Sequence, residues 1–259
     1  MNNFIDISNK DELVDLGLLE SRNIILWEKL SATFKIKVLR KNAPNFSMYV
    51  IKDIATITTS EIEFNSSSFT HELLHLDLRS KEILIGSGLR MFVIENSLLY
   101  QFISEGLIDH IGNCLDHVKM LNEFVKLGYI AEEFLHDFNE IKLEPELTKL
   151  ISDSFKNEDD SYNSIAVDAY IGKYFACKAC PNEKFKYKER LNELKLIDFE
   201  LFDALDAFWN EWLEFDINND SVTNDYHMIL FRFLDALESW AGQKLFRQSI
   251  QRNQDFIRF

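Results

Sequence analysis

The six residues 70–75, Thr-His-Glu-Leu-Leu-His, place two histidines four positions apart with a glutamate directly after the first. On an α-helix, residues four apart lie one turn above each other, so His71 and His75 present their imidazoles on one face. Glu72 falls beside that face, where its carboxylate can reach a water molecule held by a metal ion without binding the ion itself. The pattern therefore predicts a helix that carries two metal ligands and a general base.

The residues around this motif make the predicted helix apolar over much of its circumference. Phe69, Leu76 and Leu78 surround the motif, and leucines occupy its two variable positions. Such a helix is expected to be buried, and a buried helix rarely carries two histidines and a carboxylate unless a ligand or hydrogen bonds satisfy them. Two ordinary hydrogen-bonded histidines beside a solvated Glu72 are the alternative, and the apolar flanks favour the metal site over it.

The motif resembles the active-site helix of the zincin metallopeptidases, over about six residues. Further along, the five residues 105–109, Glu-Gly-Leu-Ile-Asp, resemble the Glu-x-x-x-Asp element of zincins of the glutamate type. In those enzymes the Glu completes the metal site, and the Asp, one turn on, orients a ligating histidine. The resemblance therefore implies a zinc ion held by His71, His75 and Glu105, with Asp109 as the orienting residue.

A third ligand is required because a catalytic zinc ion takes three protein ligands and leaves one position for water. The segment 103–121 offers alternatives to Glu105, because His110 and His117 lie on a stripe with the spacing of a buried helix face. Zinc accepts either a carboxylate or an imidazole. We expect Glu105, because it alone has a partner, Asp109, at the spacing of an orienting residue. His117 is the second choice and His110 the third.

The remaining patterns predict an α+β fold that is predominantly helical. A helical pattern over 11–34 precedes three predicted strands at 35–40, 46–51 and 55–64, and a serine at 66–68 can cap the motif helix. From residue 122 onward the chain reads as helices. We expect a zincin-like core over 1–156, with a small N-terminal sheet and the active-site helix, and a helical extension over 157–259 that packs on the core. The resemblance also implies an edge strand that lines the cleft and can pair with an extended peptide.

Charge and hydropathy restrict the partners and the location. The net charge of −15 repels phosphate backbones, so nucleic acid is not an expected main partner. No apolar run reaches the roughly 18 to 20 residues of a membrane span, and the first residues lack the basic and then apolar pattern of a signal peptide. Three cysteines are too few for a disulfide scaffold, and the isolated pair Cys177 and Cys180 is expected to be structural. These features predict a cytoplasmic protein.

Together these patterns predict a zinc metallopeptidase that hydrolyses peptide bonds through a metal-bound water activated by Glu72, selective for an intracellular protein or peptide substrate. Two alternatives stay open. One is a non-catalytic interaction or regulatory protein that is stabilised by a metal and uses its helical C-terminal half. The other is a metal hydrolase with a non-peptide substrate. His136 and His227 are both open candidates for a transition-state donor, and the oligomeric state is not readable from the sequence.

Overall fold

The computed structural model describes residues 5–6, 9–41, 46–60, 65–219, 225–242 and 244–247. The described chain is predominantly helical with a small sheet, which confirms the predicted α+β class. The helices are α1 (Lys10–Asp15), α2 (Ile24–Ser31), α3 (Ser66–Ser80), α4 (Ile85–Glu95), α5 (Glu105–Lys126), α6 (Pro145–Ser154), α7 (Ser164–Ala179), α8 (Lys188–Ile197), α9 (Phe199–Glu214) and α10 (Tyr226–Ala241). The strands are β1 (Ile5–Asp6), β2 (Lys35–Lys41), β3 (Ser47–Ile51), β4 (Ile54–Ser60), β5 (Tyr162–Asn163) and β6 (Phe246–Arg247).

The principal sheet has the strand order β1-β2-β4-β3. Strands β2 and β4 are parallel, with Val38 opposite Ile57, while β3 runs antiparallel to β4 and forms an edge. Lys52 adopts a positive φ of 58° in the tight turn that joins β3 to β4. The sequence predicts β2, β3 and β4 in this order but not the short β1. The last part of the third predicted strand, residues 61–64, lies outside the described residues.

Helix α3 follows this sheet and buries its apolar face against it. Phe69, Leu73 and Leu76 belong to one core cluster together with Trp27 of α2 and Val38 of β2. Full burial of a leucine or phenylalanine side chain stabilises the fold by about 1.5–3 kcal/mol. The apolar positions around the motif therefore fix which face of α3 points into the core and which face carries the histidines.

The contacts within the chain divide it into two compact units. The first unit comprises residues 1–83 and 119–139 and contains the principal sheet with α1, α2 and α3. The second comprises residues 84–118 and 140–259 and contains the remaining helices. Helix α5 is continuous across the division between residues 118 and 119. The domain boundary that the sequence suggests at residue 157 lies inside the second unit.

The second unit has its own aromatic core. Trp212 is fully buried, and the rings of Phe208 and Phe233 stack with their centroids 4.0 Å apart. Helices α4 and α5 meet at two glycines, where a Cβ atom on Gly112 would lie 3.0 Å from the Cα atom of Gly86. A side chain there would therefore push the two backbones apart. Among the helices in the described ranges, none has the length and hydropathy needed to cross a membrane.

Candidate metal centre

Helix α3 begins at a well-defined cap. The side chain of Asn65 accepts a hydrogen bond of 2.8 Å from the backbone nitrogen of Ser67, which satisfies one of the free N–H groups at the start of the helix. The cap is therefore an asparagine rather than the serine that the sequence suggested, and the adjacent Ser66 is already in the first turn. The helix then continues for 15 residues and carries the whole 70–75 motif.

A buried polar network fixes the turn that precedes His71. The Thr70 hydroxyl lies 2.7 Å from the carbonyl oxygen of Ser66 and 2.9 Å from both the amide nitrogen of Asn23 and the hydroxyl of Tyr129. Thr70 and Asn23 are both fully buried. Because a buried polar group is costly without its partner, this network restricts the rotation and the axial position of α3.

Helix α3 presents the two motif histidines to each other as the four-residue spacing predicts. The ring centroids of His71 and His75 are 4.9 Å apart, with the ring planes at 65°. One ligand atom from each of His71, His75 and His117 lies within 4.8 Å of the other two. Nitrogen ligands of a tetrahedral zinc ion are about 3.3 Å apart, given Zn–N bonds of roughly 2.05 Å. Binding therefore requires the three rings to approach one another by at most about 1.5 Å.

His117 is brought to this position by α5. Two turns further on, the ring of Phe124 stacks on Tyr129 at 4.8 Å and meets Phe134 edge-on at 5.1 Å, all within the first unit. Residues seven apart on a helix share a face, so His117 points to the same side of α5 as Phe124. Tyr129 in turn contacts Thr70 of α3. These contacts hold the end of α5 beside α3 within the first unit.

The electrostatics of His71 favour a neutral imidazole. Burial lowers the pKa of His71 well below its ordinary value, and the nearby His75 lowers it further. A hydrogen bond to the backbone of Phe134 acts in the opposite direction, and the exposed His136 adds a smaller lowering. A neutral imidazole is the form that binds a metal ion, and a backbone hydrogen bond to a ligating histidine fixes the orientation of its ring.

Glu72 is buried beside the histidines, with 8% of its surface exposed. Burial raises the pKa of its carboxyl group, and the neighbouring His75 partly offsets this effect. A carboxylate with a raised pKa is a stronger base than one in water, which suits proton abstraction near neutral pH. Three imidazole donors and an adjacent buried carboxylate fit a zinc ion, which accepts nitrogen ligands and keeps a fourth position for water in catalytic sites.

Glu105, the expected third ligand, is not part of this group. Its carboxylate receives the Arg90 guanidinium at 2.7 Å, and Asp109 binds the same guanidinium at 2.7 Å. The side chains of Glu105 and Asp109 are 60% and 68% exposed. On α5, Glu105 lies 12 residues before His117, which corresponds to about 18 Å along the helix axis. The two residues cannot serve the same ion, and in this geometry His117, rather than Glu105, lies with the two motif histidines.

The other candidate histidines are separated by their surroundings. His110 lies 3.0 Å from the carbonyl oxygen of Gly172 and is occupied by a structural contact. His227 lies 2.7 Å from the carboxylate of Asp225. His136, one of the two residues that the sequence left as possible donors, interacts electrostatically with His71.

The cysteines do not add a second metal site among the described residues. Cys177 and Cys180 are both free, and burial raises the pKa of the Cys177 thiol, with a smaller contribution from Cys180. A high pKa keeps the thiol protonated and unreactive. This environment is compatible with the structural role expected for the pair.

Comparison of the chain with known protein families, curated proteins and solved structures gives no match. The functional interpretation therefore depends on the geometry of the residues themselves.

Proposed function

We propose that this chain is a zinc-dependent metallopeptidase in which His71, His75 and His117 bind the metal and Glu72 is the general base. The observation that carries the proposal is the convergence of three imidazole nitrogens within 4.8 Å beside a buried carboxylate. The resemblance of residues 70–75 to the zincin motif supports the same chemistry. A zincin-like core and a cytoplasmic location remain part of this proposal.

The proposed mechanism assigns a separate task to each side chain. When bound, zinc would supply Lewis acidity and would lower the pKa of a water molecule to about 7. Glu72 accepts the proton of the attacking water and then donates it to the leaving amine. His71, His75 and His117 would hold the ion through imidazole nitrogens, which bring no negative charge to offset its Lewis acidity. The hydrogen bond between His71 and the Phe134 backbone holds one ring in the orientation for binding.

A peptide substrate is favoured by the exposed edge of the sheet. Strand β3 lies at that edge and packs against α3 within the first unit. Tyr49 and Ile51 of this strand are 50% and 63% exposed. An edge strand offers backbone N–H and C=O groups with which an extended peptide can pair, while exposed side chains beside it provide contacts for the substrate.

The proposal is tested by metal analysis and hydrolysis assays on the purified chain. We expect one zinc ion per chain, cleavage of at least one member of a peptide library, loss of both after treatment with a chelator, and recovery on addition of zinc. Amide and ester substrates serve as the comparison. Zinc binding without any hydrolysis would support the metal-stabilised interaction protein instead, and hydrolysis of esters alone would indicate a non-peptide hydrolase.

A further inference from the structure

An open cleft of about 540 Å³ lies in the second unit, between the end of α7 and the start of α8. Its lining contains none of the proposed metal ligands. It contains four lysines and aromatic side chains, together with the carboxylates of Glu183 and Asp206. The lining residues that matter here are Lys178, Lys186, Lys188, Lys195, Phe185 and Phe202. None of them has a role in the proposed hydrolysis.

The segment that forms this cleft has the opposite charge to the rest of the chain. Residues 173–195 contain seven lysines and arginines and three glutamates, a net charge of +4 in a chain whose overall net charge is −15. A local patch of one sign on a surface of the other sign attracts a ligand of complementary charge to that point. The cleft is therefore suited to a negatively charged ligand.

Two of the four lysines are neutralised and two are available. Lys178 contacts Asp206 at 2.7 Å, and Lys195 contacts Asp203 at 3.0 Å. Lys186 and Lys188 are exposed, and within the described parts of the chain no ion pair is formed by either. Their ammonium groups can bind a partner's carboxylates without first breaking an internal ion pair.

The aromatic lining and the overall charge decide between classes of negative ligand. Phe185 and Phe202 line the same cleft as the lysines, so the cleft can hold an apolar side chain as well as carboxylates. A nucleic acid carries regularly spaced negative charges beyond the cleft, where the acidic remainder of this chain repels them. A short acidic peptide ends before that repulsion becomes important.

We propose that this cleft binds an acidic peptide segment of a partner protein. Its carboxylates contact Lys186 and Lys188, and an apolar side chain of the peptide packs against Phe185 and Phe202. This site does not depend on the metal centre, so it can be tested on zinc-loaded or zinc-free protein alike.

The test is fluorescence anisotropy of the full chain with a labelled peptide that contains five glutamates around one leucine and one phenylalanine. We expect micromolar binding that weakens as salt rises from about 50 to about 500 mM, because exposed charges are screened. Lys186→Glu combined with Lys188→Glu should weaken binding by at least about tenfold. The matched control is Lys126→Glu combined with Lys149→Glu, which makes the same charge change at lysines that are 71% and 76% exposed elsewhere. The control should stay within about twofold of the unmodified chain.

A second measurement uses the unmodified chain and does not depend on the folding of any variant. Bound peptide should protect Lys186 and Lys188 from amine acetylation, read by mass spectrometry, and leave Lys126 and Lys149 unprotected. The proposal is overturned by an absence of peptide binding up to about 1 mM, by equal loss in the control variant, by protection of the control lysines instead, or by tighter binding of a single-stranded oligonucleotide of the same charge.

Discussion

The start and the middle of helix α5 carry two sets of residues that both have the chemistry of zinc ligands. At the start, Glu105 and Asp109 extend into solvent and share the guanidinium of Arg90. In the middle, His117 is partly buried and faces the two histidines of α3. The spacing of Glu105 and Asp109 fits a metal site as well as the position of His117 does. Their surroundings distinguish the two sets. His117 lies with His71 and His75, whereas the side chains of Glu105 and Asp109 are exposed.

The largest effect is expected on peptide hydrolysis when Glu72, the proposed general base beside the histidine cluster, is replaced. Glu72→Gln keeps the shape of the side chain and removes its ability to accept a proton, so kcat/KM for peptide hydrolysis should fall by about 10²–10⁴-fold. Zinc content, measured by mass spectrometry, should stay at the level of the unmodified chain, because Glu72 is not a ligand. Glu123→Gln alters an exposed glutamate of α5 and is the control. Full activity of Glu72→Gln would exclude the mechanism.

The two parts of α5 can be compared directly through zinc affinity. His117→Ala removes one of the three proposed ligands and should weaken zinc binding by at least about 100-fold in a chelator competition assay. Glu105→Ala should leave the affinity within about threefold, since its carboxylate pairs with Arg90. If zinc affinity fell only in Glu105→Ala, Glu105 would be the third ligand, as the zincin resemblance implies.

A smaller effect is expected in the network that holds α3 beside the end of α5. Tyr129→Phe removes a hydroxyl that contacts Ser66 at 2.6 Å and Thr70 at 2.9 Å. Leaving these groups without that partner should destabilise the fold by about 1–3 kcal/mol. The melting temperature should fall by several degrees in differential scanning calorimetry. Tyr100→Phe, at a tyrosine that is 51% exposed, is the control and should leave the melting temperature unchanged.

The smallest effect is expected at the exposed start of α5. Arg90→Ala breaks the contacts with Glu105 and Asp109, and such surface ion pairs contribute about 0–1 kcal/mol each. The variant should unfold at nearly the same denaturant concentration as the unmodified chain and bind zinc equally well. A marked loss of zinc in Arg90→Ala would mean that the acidic pair takes part in the metal site after all.

Local sequence patterns were sufficient for the motif helix and for much of the sheet. The apolar positions around residues 70–75 predict a buried α3. Partial alternation in β2, and β-branched and aromatic residues in β3 and β4, predict strands, because all of these signals lie within one element. The third member of the histidine cluster depends on contacts between residues far apart in sequence. One of them joins Tyr129, just after α5, to Thr70 of α3, 59 positions earlier in the chain.

The same limitation applies to the division of the chain and to the basic cleft. The chain passes from one compact unit to the other at residues 83–84, 118–119 and 139–140. The acidic segment near residue 157, which suggested a boundary in the sequence, does not indicate any of these three positions. The lysines of residues 184–188 are visible in the sequence, but whether they face a cleft depends on the turn between α7 and α8. The helical stripe over 103–121 already marked His117 as a candidate ligand. The Glu-x-x-x-Asp spacing led us to expect Glu105 instead.

Anomalous X-ray diffraction at the zinc absorption edge, on crystals of the purified chain, tests the metal centre most directly. We expect a single strong peak about 2.1 Å from one ring nitrogen each of His71, His75 and His117, with a carboxylate oxygen of Glu72 nearby but outside bonding distance. A peak bound by Glu105, or no peak in zinc-saturated crystals, would contradict the account.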